Sequence, residues 1–190
     1  LQMLKGKTLD EIRQAGKLVI GYTEFEPLNY IDADGNFTGF ETEFAKAVCA
    51  KLGVKPEFQL IDWDSKELEL NSNSIDCIWN GMSINPARAE AMNLSEPYMK
   101  NEMIFVVPAD SEIKSMDDLA GKTIGVQQGT TGDIYASDDY GDENVERYAK
   151  GMEAVQALTQ GKIDAVIIDN EPARVFVSEN EGLIILDEAY

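Results

Sequence analysis

The residues of this chain best suited to chemistry stand close together in Trp79-Asn80-Gly81-Met82-Ser83-Ile84-Asn85-Pro86-Ala87-Arg88. An apolar run, Ile75 to Trp79, reads as a buried strand leading into them. Asn85-Pro86 then pairs an N-cap with a first-turn proline, which starts a helix. Arg88 falls in the first turn, where a cation opposes the helix dipole and calls for another justification. A carboxylate ligand supplies one, because a guanidinium presents a planar fork that grips a carboxylate through two parallel hydrogen bonds. Gly81 leaves its carbonyl reachable, and the Ser83 hydroxyl accepts as well as donates. Oxygens of that kind suit an ammonium. An anion clamp a few residues from a cation cradle describes a site for an α-amino acid. A surface arginine beside an ordinary strand-to-helix turn would have the same sequence.

Composition narrows the classes. The chain has 190 residues, 44% of them hydrophobic, enough for one domain or two small lobes. Thirty-five acidic against 16 basic residues give a formal charge of −19. That charge argues against nucleic-acid binding, which needs a basic surface. There is no histidine, so histidine triads, histidine bases and histidine-bearing zinc sites drop out. Two cysteines are too few for a zinc cage. No metal or cofactor is expected. No apolar stretch reaches membrane-spanning length.

The elements that must position the site follow in order. Thr8-Leu9-Asp10-Glu11 is a capping box opening a short helix that ends near Gly16. Lys17 to Thr23 is a strand, and Asp34-Gly35 turns a hairpin between Asn29–Ile31 and Asn36–Thr38. Phe40 to Leu52 carries Phe40, Phe44, Ala47, Val48 and Leu52 at helical spacing, and Gly53 ends it. Strand Lys55 to Ile61, helix Ser65 to Leu70 and strand Ile75 to Trp79 complete an alternation that implies parallel strands with helical crossovers. After Tyr98 the pattern restarts. Met103 to Val107 is an apolar run closed by Pro108, and Ser115 caps a short helix. Strands are expected at Thr123–Val126, Val145–Tyr148, Ala165–Asp169 and Leu183–Leu186, with helices near Asp133–Ser137, Met152–Thr159 and Glu171–Glu179. The fold class is α/β.

Gly39-Phe40-Glu41-Thr42-Glu43-Phe44, continuing through Val48-Cys49 to Leu52, resembles the signature of family 3 extracellular solute-binding proteins, the amino-acid receptors of ABC importers. The resemblance runs on through Trp63, Gly81 to Arg88, Leu119-Ala120-Gly121-Lys122, Gln128-Gly129-Thr130-Thr131-Gly132 and Ile163-Asp164-Ala165 to Asp169. These pieces occur in the family's order over nearly the whole chain. The resemblance implies a two-lobed, type II periplasmic-binding-protein-like fold, with the ligand in a cleft between lobes joined by two crossing strands. It implies lobe 1 over residues 1–102, a crossing strand at 103–110, lobe 2 over 111–184 and the start of a return crossing at 185–190.

Matched residue by residue, the resemblance implies that Phe25 and Trp63 sandwich the ligand side chain. Gly81 and Ser83 contact the ammonium and carboxylate, and Arg88 clamps the carboxylate. Backbone donors of the Thr130-Thr131 loop reach the same carboxylate, Asp169 faces the ammonium, and Gln127 makes a side-chain contact. Local chemistry supports several of these assignments. Phe25 lies in a proline-bearing loop, where aromatics often mark binding, although a loop staple reads the same. Trp63 stands between Asp62 and Asp64, an awkward place for a fully buried ring. Gly129-Thr130-Thr131-Gly132 joins a strand to a helix, where backbone donors hold anions, or make an ordinary tight turn. Asp169 ends an apolar strand, and ligands of parallel sheets bind beyond such ends. It is also placed to cap the helix that follows.

Gly121-Lys122-Thr123 ends like a phosphate-binding loop, but Met116 stands where that motif needs glycine, and the stretch leads into a strand. The function implied is capture of a free polar amino acid, glutamine-like or cationic, for an ABC permease. The site of action is extracellular, periplasmic or lipid-anchored at the outer membrane face. A periplasmic dehydratase-like enzyme and the sensor domain of a larger receptor share the fold, and Glu24, Glu26 or Asp169 would be the acid of such an enzyme. Basic-amino-acid receptors of the family often carry aspartate where this chain has Tyr22; Glu24 and Glu26 lie nearby, and Asn80 adds a neutral polar contact. Cys49 and Cys77 are expected to form a disulfide in an oxidising compartment, with two buried thiols as the alternative. The family's chain returns to complete its first lobe, whereas this sequence stops at Tyr190. The expectation from that difference is a truncated form with an uncovered apolar patch that either self-associates or is less stable than a full-length parent.

Overall fold

The computed structural model describes residues 6–190. Two compact units divide the chain, one up to Pro97 and the other from Tyr98 to Tyr190.

The first unit opens with helix α1 (Leu9–Ala15). Its capping box is complete: the Glu11 amide donates to Thr8 Oγ1, and the Glu11 carboxylate accepts from the Thr8 amide. Strands β1 (Lys17–Tyr22), β4 (Lys55–Leu60) and β5 (Cys77–Ile78) form a three-stranded parallel sheet in the order β4-β1-β5. The hairpin β2 (Tyr30–Ile31) and β3 (Phe37–Thr38) is a separate two-stranded sheet, and the short helices α3 (Lys66–Asn71) and α4 (Pro86–Ala91) lie later in this unit. Helix α2 (Phe40–Leu52) begins at Gly39, whose φ of +119° and whose absent Cβ both matter. A Cβ there would lie 2.2 Å from the Leu28 carbonyl oxygen.

Helix α2 does not bury the face that its apolar spacing suggests. Its buried residues are Glu41, Thr42, Ala45 and Cys49, while Phe40 and Ala47 are exposed. The small residues allow the helix to lie close on β1, with Cys49 and Ala45 beside Leu18 and Ile20. Phe44 instead turns to Trp79, ring centroids 5.3 Å apart. The expected Cys49–Cys77 disulfide is absent, and both are free thiols. Cys49 is a small apolar member of this core, and Cys77 packs against the same cluster. Burial raises the pKa of both thiols and so disfavours the thiolate that disulfide exchange requires.

The second unit has a five-stranded sheet in the order β10-β6-β9-β7-β8. Its members are β6 (Met103–Pro108), β7 (Ile124–Gln127), β8 (Val145–Tyr148), β9 (Ala165–Asp169) and β10 (Leu183–Ala189). The strands β9, β7 and β8 are parallel; β6 runs against both β9 and β10. Met103–Pro108 is an interior strand of this sheet. Met103 to Val107 are all buried, as an apolar run with helices on both faces requires. Strand β10 continues past Leu186 to Ala189 with an irregular register after Ile185. Helices α5 (Thr131–Tyr140), α6 (Gly151–Thr159) and α7 (Asn170–Glu179) cover it. Phe105, fully buried, lies at the centre of one face; its truncation to alanine would cost about 3–5 kcal/mol.

Candidate functional site

In the first unit the three parallel strands end together, and each carboxyl end leads into a loop bearing predicted ligand residues. Phe25 follows β1, Trp63 follows β4, and Gly81, Ser83 and Arg88 follow β5. That placement is where parallel sheets bind ligands.

Arg88 lies in α4 (Pro86–Ala91), capped by Asn85, whose Oδ1 accepts from the Arg88 amide at 2.9 Å. The helix has only six residues, so Arg88 is near both ends and the dipole argument loses its force. The guanidinium is buried, and one Nη donates to the Ser83 carbonyl at 2.8 Å, which fixes its direction. Its Cζ stands 5.7 Å from the Trp63 ring centroid. Trp63 itself is buried, contrary to the reading of its acidic neighbours. A short 3-10 turn over Trp63–Ser65 points the ring inward while Asp62 and Asp64 stay exposed.

Gly81 has a φ of +63°, and a Cβ would come within 2.8 Å of Leu28 and 3.2 Å of Phe25. Glycine is therefore required for the loop to lie against the Phe25 segment. The same position is 3.6 Å from a carboxylate oxygen of Glu41, which is fully buried.

Two specificity candidates turn out to have structural work. The Asn80 amide donates to the Thr23 carbonyl at 2.9 Å and to Asn29 Oδ1 at 2.7 Å, and it accepts from Thr23 Oγ1 at 2.7 Å. Asn29 in turn donates to Thr42. Both Asn80 amide hydrogens are used inside this network, so Asn80 positions the loop and has none left for a ligand. Tyr22 packs its ring on Phe37, centroids 4.6 Å apart, and meets Phe58 edge-on. Glu24 and Glu26 are not buried.

In the second unit, Gln127 and Asp169 close the adjacent parallel strands β7 and β9. The Gln127 amide nitrogen donates to the Ala149 carbonyl at 3.2 Å. Thr130 is the N-cap of α5: its hydroxyl accepts from the Asp133 amide and donates to the Gln127 carbonyl at 2.7 Å. Its amide also turns back to that carbonyl, at 3.3 Å. Of the two threonines, Thr131 is the one whose hydroxyl takes no part in the turn: its Oγ1 is buried and without a hydrogen-bond partner. Asp169 begins α7 but does not cap it; its carboxylate accepts from the Asn101 amide.

Sequence reasoning missed Lys66, Glu41 and Asp133. Lys66 is buried one helical turn from Trp63, a spacing that was legible. Its pKa is lowered, first by burial and then by the Arg88 charge. Among the described residues, three buried side-chain polar atoms lack a partner: Trp63 Nε1, Trp79 Nε1 and Thr131 Oγ1.

The chain is similar to known proteins. The L-cystine-binding protein TcyJ of Escherichia coli (strain K12) is 31% identical over 96% of this chain and 70% of its own length. The arginine-binding extracellular protein ArtP of Bacillus subtilis (strain 168) is 32% identical over 88% of this chain and 66% of its own. The arginine-bound form of truncated ArgBP from T. maritima superposes with a TM-score of 0.89 at 36% identity, covering 95% of this chain and 86% of that one. The fold is accordingly that of type II periplasmic binding proteins. Residues 18–167 match the family model, and the chain belongs to the bacterial extracellular solute-binding proteins, family 3.

Proposed function

We propose that this chain captures a free polar α-amino acid outside the cell and passes it to the permease of an ABC importer. The observation that carries this reading is the pair of orphaned polar atoms on Trp63 and Thr131. Buried polar groups are nearly always hydrogen-bonded, and exceptions call for a missing partner. These two, unlike the third such atom, Trp79 Nε1, belong to residues that the family resemblance assigns to the ligand. Arg88 clamps the α-carboxylate, and the Ser83 hydroxyl and Gly81 carbonyl take the polar atoms beside it. The Thr130-Thr131 turn supplies donors at the N-terminus of α5 to the same carboxylate. Asp169 faces the α-ammonium, Phe25 and Trp63 hold the side chain, and Gln127 adds a polar contact.

The function is binding without turnover. Domain closure on the ligand is the signal that a permease reads. The relatives named above bind cystine or arginine by their names, and a free amino acid is the ligand class they share. The chain acts at the outer face of the cell, in a periplasm or on a lipid anchor.

A thermal-shift screen against the common amino acids tests this directly, since a ligand that binds only the native state raises its melting temperature. One or a few polar amino acids should produce a saturable rise of several degrees. A flat response across the panel overturns the reading, and turnover of a prephenate-like diacid would replace it with the enzymatic one.

A further inference from the structure

Lys66 is 5% exposed, and its Nζ lies 4.8 Å from the centroid of the Trp63 ring while donating to the Trp63 carbonyl at 3.2 Å. The Arg88 guanidinium, also 5% exposed, lies 5.7 Å from the same centroid. One indole is thus attended by two buried cations of the protein itself. An aromatic face attracts cations through its quadrupole, and this is the ordinary way such a ring holds a guanidinium or ammonium ligand. Here that attraction is already in use. A third cation brought to the ring would meet two like charges in a water-poor setting, where charge interactions are strong. Lys66 already feels Arg88 as a like charge, which lowers its pKa after burial has done so; Glu67 and Asp64 act in the opposite direction.

We infer that Lys66 is a specificity-determining residue: it excludes amino acids with a cationic side chain and favours those whose side chain ends in an amide or carboxylate acceptor. The inference rests on the reading of Trp63 and Arg88 as ligand contacts. An acceptor side chain lying along Trp63 gains a donor in the Lys66 ammonium. An arginine or lysine side chain gains a repulsion instead. The chain would then differ from its arginine-binding relatives in this property. The signal was in the sequence as Trp63-Asp64-Ser65-Lys66, a lysine one turn after the aromatic.

Calorimetry with L-glutamine, L-glutamate, L-arginine and L-lysine decides it. In the wild type, glutamine or glutamate should bind at least tenfold more tightly than arginine and lysine. Lys66→Met keeps the length of the side chain and removes the charge; it should improve arginine relative to the preferred ligand by tenfold or more. Lys66→Arg should keep the wild-type preference. Arginine or lysine binding to the wild type as tightly as the acceptor ligands overturns the inference while leaving the amino-acid reading intact. So does an unchanged ratio in a folded Lys66→Met. If that variant does not fold, the wild-type ratio alone upholds or overturns the inference. Binding of none of the four, together with a flat thermal-shift panel, removes the amino-acid reading and this inference with it.

Discussion

Arg147 donates through Nε to Asp133 Oδ1 at 2.9 Å, joining strand β8 to the first turn of α5. The other Asp133 oxygen accepts the Gly129 amide at 3.0 Å. The Gly129-Thr130-Thr131 turn is therefore held from behind by a carboxylate that is itself held by a guanidinium. Arg147 is anchored further by Ser137 Oγ at 2.9 Å and by the Asp142 carboxylate. A turn held in this way needs little further ordering for the ligand contact proposed for it.

Replacing Arg147 with methionine should loosen that turn without touching any ligand contact. Charge-assisted hydrogen bonds contribute about 1.5–3 kcal/mol each when buried. Arg147 is about a third exposed, so the expected stability loss is only about 1–2 kcal/mol after solvent screening. Affinity should fall roughly three- to tenfold, since a preorganised turn must now be ordered by the ligand. Hydrogen exchange at the Gly129 amide should speed up more than exchange in β6. Unchanged exchange at Gly129 would show that Asp133 holds the turn without Arg147.

Thr131→Val tests the orphaned hydroxyl. Its Oγ1 is buried without a partner, so exchanging it for a methyl removes an unsatisfied group. Such a loss is close to neutral or stabilising in the empty protein. Affinity for the preferred amino acid should nevertheless drop several-fold if, as proposed, the hydroxyl finds its partner on the ligand. Stability and affinity moving down together would place Thr131 in the scaffold.

Arg88→Ala removes the proposed carboxylate clamp. Loss of hydrogen bonds worth about 1.5–3 kcal/mol each should weaken binding more than tenfold. The unfolding transition should stay cooperative, shifted by the loss of a donor to the Ser83 carbonyl. Calorimetry that finds wild-type affinity would take Arg88 out of the site.

The framework of the site was legible because it rests on short-range signals. The capping boxes, the Asn85-Pro86 start, the glycine ends and the alternation of strands with helices each depend on a few neighbouring residues. What escaped depends on three dimensions. The stripe of large apolar residues on α2 suggested one face, yet close approach to the sheet selected the small residues Ala45 and Cys49. Asn80 looked available as a polar contact, because nothing in sequence reveals that Thr23 and Asn29 use both of its amide hydrogens. The spacing of Lys66 from Trp63 was readable, but its burial was not, because the turn at Trp63 produces it.

The thiols give the last prediction. Burial pushes the Cys77 pKa from an ordinary 9.0 up to about 12, with the nearby Asp76 and Cys49 adding to it. Burial also raises that of Cys49. Reactivity follows the thiolate, so neither should be alkylated at an appreciable rate in the native protein at about pH 8. Denaturation without reductant should release two labelled cysteines by mass; none would mean that they are bridged. The same shift has a consequence for stability. Between pH 9 and 12 the unfolded chain has given up the Cys77 proton while the native state keeps it. The unfolded state then binds fewer protons, and stability falls as pH rises. The contribution is complete below pH 9 and is lost on approaching pH 12. Urea midpoints of the wild type and Cys77→Ala should therefore be offset by a constant amount at neutral pH and converge above pH 9. An offset that stays constant through about pH 11 would show that the Cys77 thiol titrates as it does in the open chain.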